Sequence, residues 1–476
     1  MQPGKIFSKE NDMKILSSLP FMERLRTWWQ TVCSAAQRAD HFLSAHSTAV
    51  MWLCGILYRI ALDANYVWAV SPVYSYEGMI YSPNGLKYVI SWVLYLIAFA
   101  YIPKIEYSAP IFILHLQLAW IMAPIFSFYG LADESTRYIL MVFFCVMLET
   151  YIVRKPRKTT VSPRIVGVKN YVSVALLVLL VPTLLVSILY NGFAGLKAFD
   201  LSYYMTIRRN TTLPTWFEYL FAWMTFTISP FFMVYFLEKK KYWLSVGCIL
   251  LEVILYMESG KKAVFLFPIV LLAVYTASKL RHLVKLTYGG LSLLLLTIIP
   301  LARMDVPHGH SFGLLLNAFV GERALVSGGP NKFLYYHLFS ELPKIHFSDG
   351  LIGKAFGLTY PYTVGSGQMV YAYGGGEFMY SNSITGYIGE SYAQLGFPGM
   401  LIFSVLLAYI IRFLFSLDSR KSFSILVSSF AIYIVLLTDA PFLTTFFSGG
   451  MFVTIFLCFI YLNSTQEEDP HGIHRF

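Results

Sequence analysis

Residues 107–129 read YSAPIFILHLQLAWIMAPIFSFY, without one Asp, Glu, Lys or Arg. A helix rises about 1.5 Å per residue, so a run of this length crosses the roughly 30 Å hydrocarbon layer of a bilayer. Its apolar residues follow one another without two-residue alternation, which points to a helix and not to a barrel strand. Eleven comparable runs lie near 48–70, 86–104, 137–153, 171–191, 215–237, 242–257, 262–279, 284–303, 399–416, 421–440 and 443–462. Composition agrees: 57% of residues are hydrophobic and 13% charged, against about 25% charged in an average soluble domain. Mean hydropathy is +0.60. The expected fold is an all-α polytopic membrane protein of about twelve transmembrane helices.

Charge orients the spans. Arg154, Lys155, Arg157, Lys158, Arg164 and Lys169 crowd the fourth connection, and Lys239, Lys240 and Lys241 form the sixth. Lys279, Arg281 and Lys285 lie in or beside the eighth, and Arg420 and Lys421 in the tenth. The positive-inside bias makes these even connections cytoplasmic. The expected division is a cytoplasmic N-terminal segment 1–47, spans one to nine over 48–303, a large extracytoplasmic loop 304–398, spans ten to twelve over 399–462, and a cytoplasmic tail 463–476. The net charge of +10 then belongs beside anionic membrane lipids and not on nucleic acid. Residues 1–47 show no signal peptide, and Phe21, Leu25, Trp28 and Trp29 fit an interfacial helix. Cys33, Cys54, Cys145, Cys248 and Cys458 all avoid the outer loop, so neither structural disulfides nor a Cys-ligated metal is expected. No internal repeat is evident.

The loop 304–398 holds 16 of the 32 glycines, with nine tyrosines and four histidines, a composition suited to recognition or chemistry. Phe312, Leu315, Leu316, Phe319 and Val320 keep helical spacing, and that helix is expected to stop at Gly328-Gly329-Pro330. A second helix should run from Asn331, as N-cap, to about Glu341 before Pro343. Residues 349–376 read as irregular loop. A third helix should begin near Ser381 or Asn382 and end at Gly396 and Pro398. All three are expected to be amphipathic, lying on or dipping into the outer leaflet above the bundle.

Outward-facing cations concentrate at Arg208 and Arg209 and at Lys261 and Lys262, with Arg303 and Arg323 near the loop. The planar guanidinium fork matches phosphate oxygens, so this clustering suits an anionic lipid diphosphate, against the alternative of headgroup anchoring. The tyrosines suit stacking on sugar rings or interfacial anchoring; Tyr335, Tyr336 and Tyr392, with Asn331 and Asn382, are the candidate sugar contacts. Glu390, on an apolar helix beside the membrane, is the first candidate general base and His337 the second, each against a structural role. His308 and His310 lack a third ligand, and no metal or cofactor is expected. Arg59 and Asp63 are spaced to pair on one helical face, while Glu252 and Asp439 are polar positions in or near the membrane without an assigned role.

Four segments, taken in order, resemble bacterial O-antigen and oligosaccharide repeat-unit polymerases of the Wzy type. They are Tyr203-Tyr204-Met205-Thr206-Ile207-Arg208-Arg209, Ser259-Gly260-Lys261-Lys262, Glu322-Arg323 followed by GGPNKFLYYH at 328–337, and Asn382 followed by GESYAQLGFPG at 389–399. The resemblance spans roughly 170–420; the N-terminal extension is longer than this family leads one to expect. It implies a metal-independent glycosyltransferase in the bacterial inner membrane, joining undecaprenyl-diphosphate-linked oligosaccharide donor and acceptor units on the outer face. It also implies a polysaccharide chain-length regulator as partner. The donor's diphosphate would be held by Arg208, Arg209 and Arg323, and Glu390 or His337 would take the acceptor proton. An O-antigen ligase has the same general plan. A lipid-oligosaccharide flippase is the non-enzyme alternative and predicts repeated halves with ionisable groups deep in the spans.

Overall fold

The computed structural model describes residues 47–154, 214–280, 282–305, 312–376 and 382–463, with a few single positions between 185 and 199. The compact unit that contains the bundle begins at Cys54. Among the described residues every regular element is helical. The bundle helices are α1 (Ser47–Glu77), α2 (Gly85–Tyr101), α3 (Ala109–Leu131), α4 (Thr136–Val153), α5 (Trp216–Glu238), α6 (Tyr242–Ser259), α7 (Lys262–Ser278) and α8 (Leu283–Met304). Next come α9 (Phe312–Glu322), α10 (Gly328–Glu341), α11 (Leu351–Phe356), α12 (Ser366–Tyr373) and α13 (Gly386–Leu395). The chain returns through α14 (Phe397–Ser416) and α15 (Phe423–Asp439) and closes with α16 (Phe442–Phe446) and α17 (Met451–Asn463).

Eight described stretches are long and apolar enough to cross a membrane: α1, α3, α4, α5, α6, α8, α14 and the Phe442–Leu462 stretch. The runs expected at 86–104, 262–279 and 421–440 also coincide with apolar helices, each shorter. The run at 171–191 lies outside the described residues, as do Phe21, Leu25, Trp28, Trp29, Arg208, Arg209, His308 and His310.

Local sequence explains the helix ends. Asn84 caps α2 by accepting from Lys87 N at 3.2 Å, and Ser135 caps α4 by accepting from Tyr138 N at 3.4 Å. Between α6 and α7, Gly260 at φ 60° ends one helix in the left-handed conformation, its N–H bonded to Tyr256 O at 2.8 Å. Wide π-turns at Tyr66–Val70, Leu118–Met122 and Met224–Ile228 each immediately precede a Ser-Pro or Ala-Pro step, at Pro72, Pro124 and Pro230. Proline removes an N–H and crowds the preceding turn, and a locally wider helix relieves both. The central helix is α3, buried over almost its whole length and flanked by α2, α10 and α15.

The connections meet at two ends. At one, His337 of α10 touches Glu134, Lys332 touches Thr438, Thr385 touches Asp439, and Trp223 touches Phe447. At the other, Asp418 accepts from Ala109 N, Glu106 pairs with Lys285, Glu238 pairs with Lys279, and Arg154 lies over Tyr101. The α10–α13 region therefore shares its end with the 131–136 and 439–450 segments. Most of the described basic connections gather at the opposite end.

Several local expectations change. Helix α10 begins at Gly328, not at Asn331. Gly328 and Gly329 do not break the chain there; they let it close against Thr438 and Pro124 O, where added Cβ atoms would stand at 2.9 and 2.7 Å. Pro330 is tolerated because the first turn has unpaired N–H groups in any case. Asn331 is accordingly not an N-cap: its Nδ2 reaches back to Ser327 O at 2.7 Å. The stretch 349–376 contains two short helices, α11 and α12. The third loop helix starts later than expected, at Gly386, and is not amphipathic on a leaflet surface. Every residue from Gly386 to Gln394 is buried, between α10, α14 and α15.

Candidate active site

Helix α13 ends at Gly396, whose φ of 68° turns the chain sharply into α14. Glu390, in its second turn, lines a cavity of about 490 Å³. The other walls are Tyr219 of α5, the 347–350 turn, Ala355 and Phe356 of α11, Phe403 of α14 and the stretch 441–448. One turn beyond, Gln394 Nε2 donates to Glu390 Oε1 at 2.6 Å and to Asp349 Oδ1 at 3.1 Å. Its Oε1 accepts from Phe347 N at 2.5 Å. Asp349 reaches the cavity because His346 and Phe347 both take positive φ, 53° and 62°. Two successive non-glycine residues in that region are costly and persist only where surrounding contacts impose them. Here Ile345 N and His346 N bond Ala393 O and Gln394 O at 3.0 and 3.1 Å. Burial, reinforced by the Asp349 charge, pushes the Glu390 carboxyl up to about 7, and the Gln394 bond opposes part of that rise.

One helical turn before Glu390 lies Gly386, and against it Lys332 of α10. Fully buried Lys332 donates to Thr438 O at 2.5 Å, at the C-terminus of α15. Burial brings its ammonium down to about 7, with Asp439 acting to raise it and Arg323 to lower it. Ser383 donates to Asn331 Oδ1, and Thr385 N donates to Asp439 O at 3.1 Å. Arg323 is exposed, with Glu322, Lys332 and Asp439 as its electrostatic neighbours. Arg323 does not line the cavity. The geometry thus sets a cationic group around Arg323 and Lys332 beside the α15 terminus, and a carboxylate pair one turn further along α13.

The remaining candidates divide. Lys262 lies over the Phe319 ring at 4.1 Å, one turn before Arg323 on the chain; Lys261 lies over Phe221 at 5.5 Å. Arg303 is exposed near the end of α8, and exposed Asn382 lies against Gly367. His337 Nε2 is 2.7 Å from Glu134 Oε2, and this hydrogen bond raises its pKa. The tyrosines expected on sugars are in the protein's own packing. Tyr335 is fully buried, Tyr336 stacks on Tyr138 at 4.7 Å, and buried Tyr392 sits 5.1 Å from Tyr336 under the Lys344 ammonium. Aromatic rings at this density gain most from one another, which removes their faces from ligands.

Three participants were not singled out from sequence. Gln394 stood in a quoted segment four residues after Glu390, a same-face spacing on the expected third helix that could have singled it out, whereas Asp349 lay in the stretch read as irregular loop with no signal linking it to Glu390. Lys332 lay inside the GGPNKF segment, yet its burial depends on Gly328 and Gly386 from other places in the chain. A fourth group, Glu149 within α4, is held by Gln117 and by Tyr387 at 3.0 Å, which ties α13 to α3 and α4. The expected Arg59–Asp63 pair is present at 2.9 Å. No protein-family model, curated protein sequence or solved structure matches this chain.

Proposed function

We propose that this protein is a bacterial inner-membrane glycosyltransferase that joins lipid-diphosphate-linked oligosaccharide units into a polymer. On this reading the chain has about twelve spans with both termini cytoplasmic, and 304–398 faces the periplasm or exterior. The observation that carries it is the placement of Glu390 on a cavity wall one helical turn from the group of Lys332, Arg323 and Asp439. Transfer from a lipid diphosphate needs a proton acceptor at the attacking hydroxyl and positive charge at the departing diphosphate. A carboxyl near 7 suits the first role at neutral pH, and a permanently charged guanidinium suits the second.

In this mechanism an acceptor hydroxyl in the cavity gives its proton to Glu390 as its oxygen attacks the donor's anomeric carbon. The bond from that carbon to the diphosphate oxygen breaks, and the charge released there is met by Arg323 with Arg208 and Arg209. Lys332 adds positive field, while its own N–H fixes the end of α15. His337, bonded to Glu134, is the lesser base. A chain-length regulator is the expected partner, and no metal or cofactor is required. The test is synthesis by the purified protein from a defined lipid-diphosphate oligosaccharide. A ladder of multiples of the unit supports polymerisation. Transfer only to a lipid A-core acceptor reassigns the protein as a ligase, and no transfer to either acceptor rejects the reading.

A further inference from the structure

The cavity beside α13 has a lining of unusual electrical character. Phe347, Phe356, Phe403, Phe442 and Phe447 contribute aromatic rings, and Asp349 and Glu390 contribute carboxylates. No described residue on its walls is Lys, Arg or His. Ring faces carry the negative part of the aromatic quadrupole, so rings and carboxylates favour the same sign of charge. A second observation concerns Glu390 alone. The residue is only 8% exposed, and its Oε1 is held by Gln394, whereas Oε2 accepts no hydrogen bond among the described residues. That oxygen has no protein donor, and the open space of the cavity beside Glu390 is where one enters.

The volume of about 490 Å³ falls within the roughly 300–1,000 Å³ of small-molecule sites. We infer that this cavity is a binding site for an amphipathic monocation, an ammonium group carried on an apolar or aromatic body. The ammonium supplies the N–H that Glu390 Oε2 lacks and the charge that Asp349 and Glu390 attract, while the body meets the phenylalanines. An anion of the same shape faces two carboxylates with no compensating cation on the described walls. This inference uses the cavity lining alone and does not require glycosyl transfer.

The test compares three ligands that differ mainly in head group: 4-phenylbutylammonium, 5-phenylpentanoate and 5-phenylpentanol. Each is titrated into the purified full chain in discs of zwitterionic lipid, with empty discs subtracted. The ammonium should bind at least about tenfold more tightly than the carboxylate and the alcohol. Glu390→Gln should lose most of that margin. Exposed Asp349 permits Asp349→Lys without burying a new charge, and this variant should abolish the preference while eluting as a single folded species. Equal affinity for the three ligands, or a preference unchanged in both variants, overturns the inference. Polymer synthesis is measured separately, so loss of the glycosyltransferase reading leaves the binding result intact.

Discussion

Asp349 and Glu390 share one hydrogen-bond donor: Gln394 Nε2 is 3.1 Å from the first carboxylate and 2.6 Å from the second. The arrangement draws two like charges together and tempers the cost with a single amide. Because the Gln394 bond holds the Glu390 pKa down against burial, Gln394→Leu should move that pKa further above about 7. The pH at which transfer reaches half its maximum should rise with it. Losing a buried donor to a charged group should also cost about 1.5–3 kcal/mol of stability. A pH–rate profile that stays in place, with a lowered thermal midpoint, would reduce Gln394 to a structural tie.

Ionisation of Glu390 has a definite sign for stability. Its folded pKa of about 7 lies above the ordinary glutamate value of 4.5, so the folded state binds the proton more tightly. That contribution is full below about 4.5 and is lost as pH rises through about 7. Glu390→Gln cannot ionise, so relative to it the wild type should lose on the order of 3 kcal/mol across this window. Thermal midpoints of both proteins between pH 4 and 8 provide the check. Parallel curves would show that the carboxylate is solvated.

Gly386 allows α10, α13 and α15 to meet. A Cβ there would lie 2.4 Å from Lys332 Cε and 2.5 Å from Thr438 O, on a backbone at φ 60°. Gly386→Ala should therefore cost about 2–4 kcal/mol, combining overlap with backbone strain. Gly365 has open space around its Cβ direction and ordinary φ, so Gly365→Ala should change the midpoint little. Similar midpoints for the two variants would mean that α10 and α15 do not close on Gly386 in the membrane.

Hydrocarbon thickness imposes long uninterrupted apolar runs, and for this reason the helices of the bundle could be read from composition alone. Glu390 stood out for a related reason, as a lone carboxylate on a helix entering the membrane. Its partner did not, because Asp349 arrives through two left-handed residues, His346 and Phe347, that no propensity rule assigns there. Lys332 escaped notice because its environment is assembled from Gly328, Gly386 and Thr438, which are distant in sequence. Glu149 was hidden within a span, where only the tertiary arrangement supplies Gln117 and Tyr387. The tyrosines misled in the opposite direction. Tyr335, Tyr336 and Tyr392 have the chemistry to stack on sugars, but packing on α13 and α4 claims their faces.

His337 and Glu390 make opposite predictions as proton acceptors. The Glu134 bond raises the His337 pKa, so its stabilising effect is present below the ordinary histidine value of 6.5 and disappears as pH rises through the raised value. His337 is 37% exposed in this pair, and solvent screening there limits its worth to under about 1 kcal/mol. His337→Gln should lower stability slightly at pH 6 and leave polymer length unchanged, whereas Glu390→Gln should abolish polymer. If His337→Gln stops synthesis without loss of membrane expression, the two roles are reversed.

Arg323 provides the sharpest test of the cationic half of the site. It is exposed, and burial already pushes the carboxyl of its neighbour Glu322 up to about 8, so at neutral pH its removal strips a partner from a group that is mostly protonated. Arg323→Ala should therefore retain expression and thermal midpoint within about 0.5 kcal/mol, as surface substitutions usually do. Loss of a charge-assisted contact to the departing diphosphate should nevertheless reduce transfer by about 100-fold or more. Arg323→Lys should recover part of this, since a point charge remains but the bidentate fork is lost. With guanidinium charge doing this work, polymer growth should continue in saturating EDTA. Abolition by EDTA with recovery on adding Mg²⁺ would transfer the role to a metal, and an Arg323→Ala enzyme with normal ladders would place the diphosphate elsewhere.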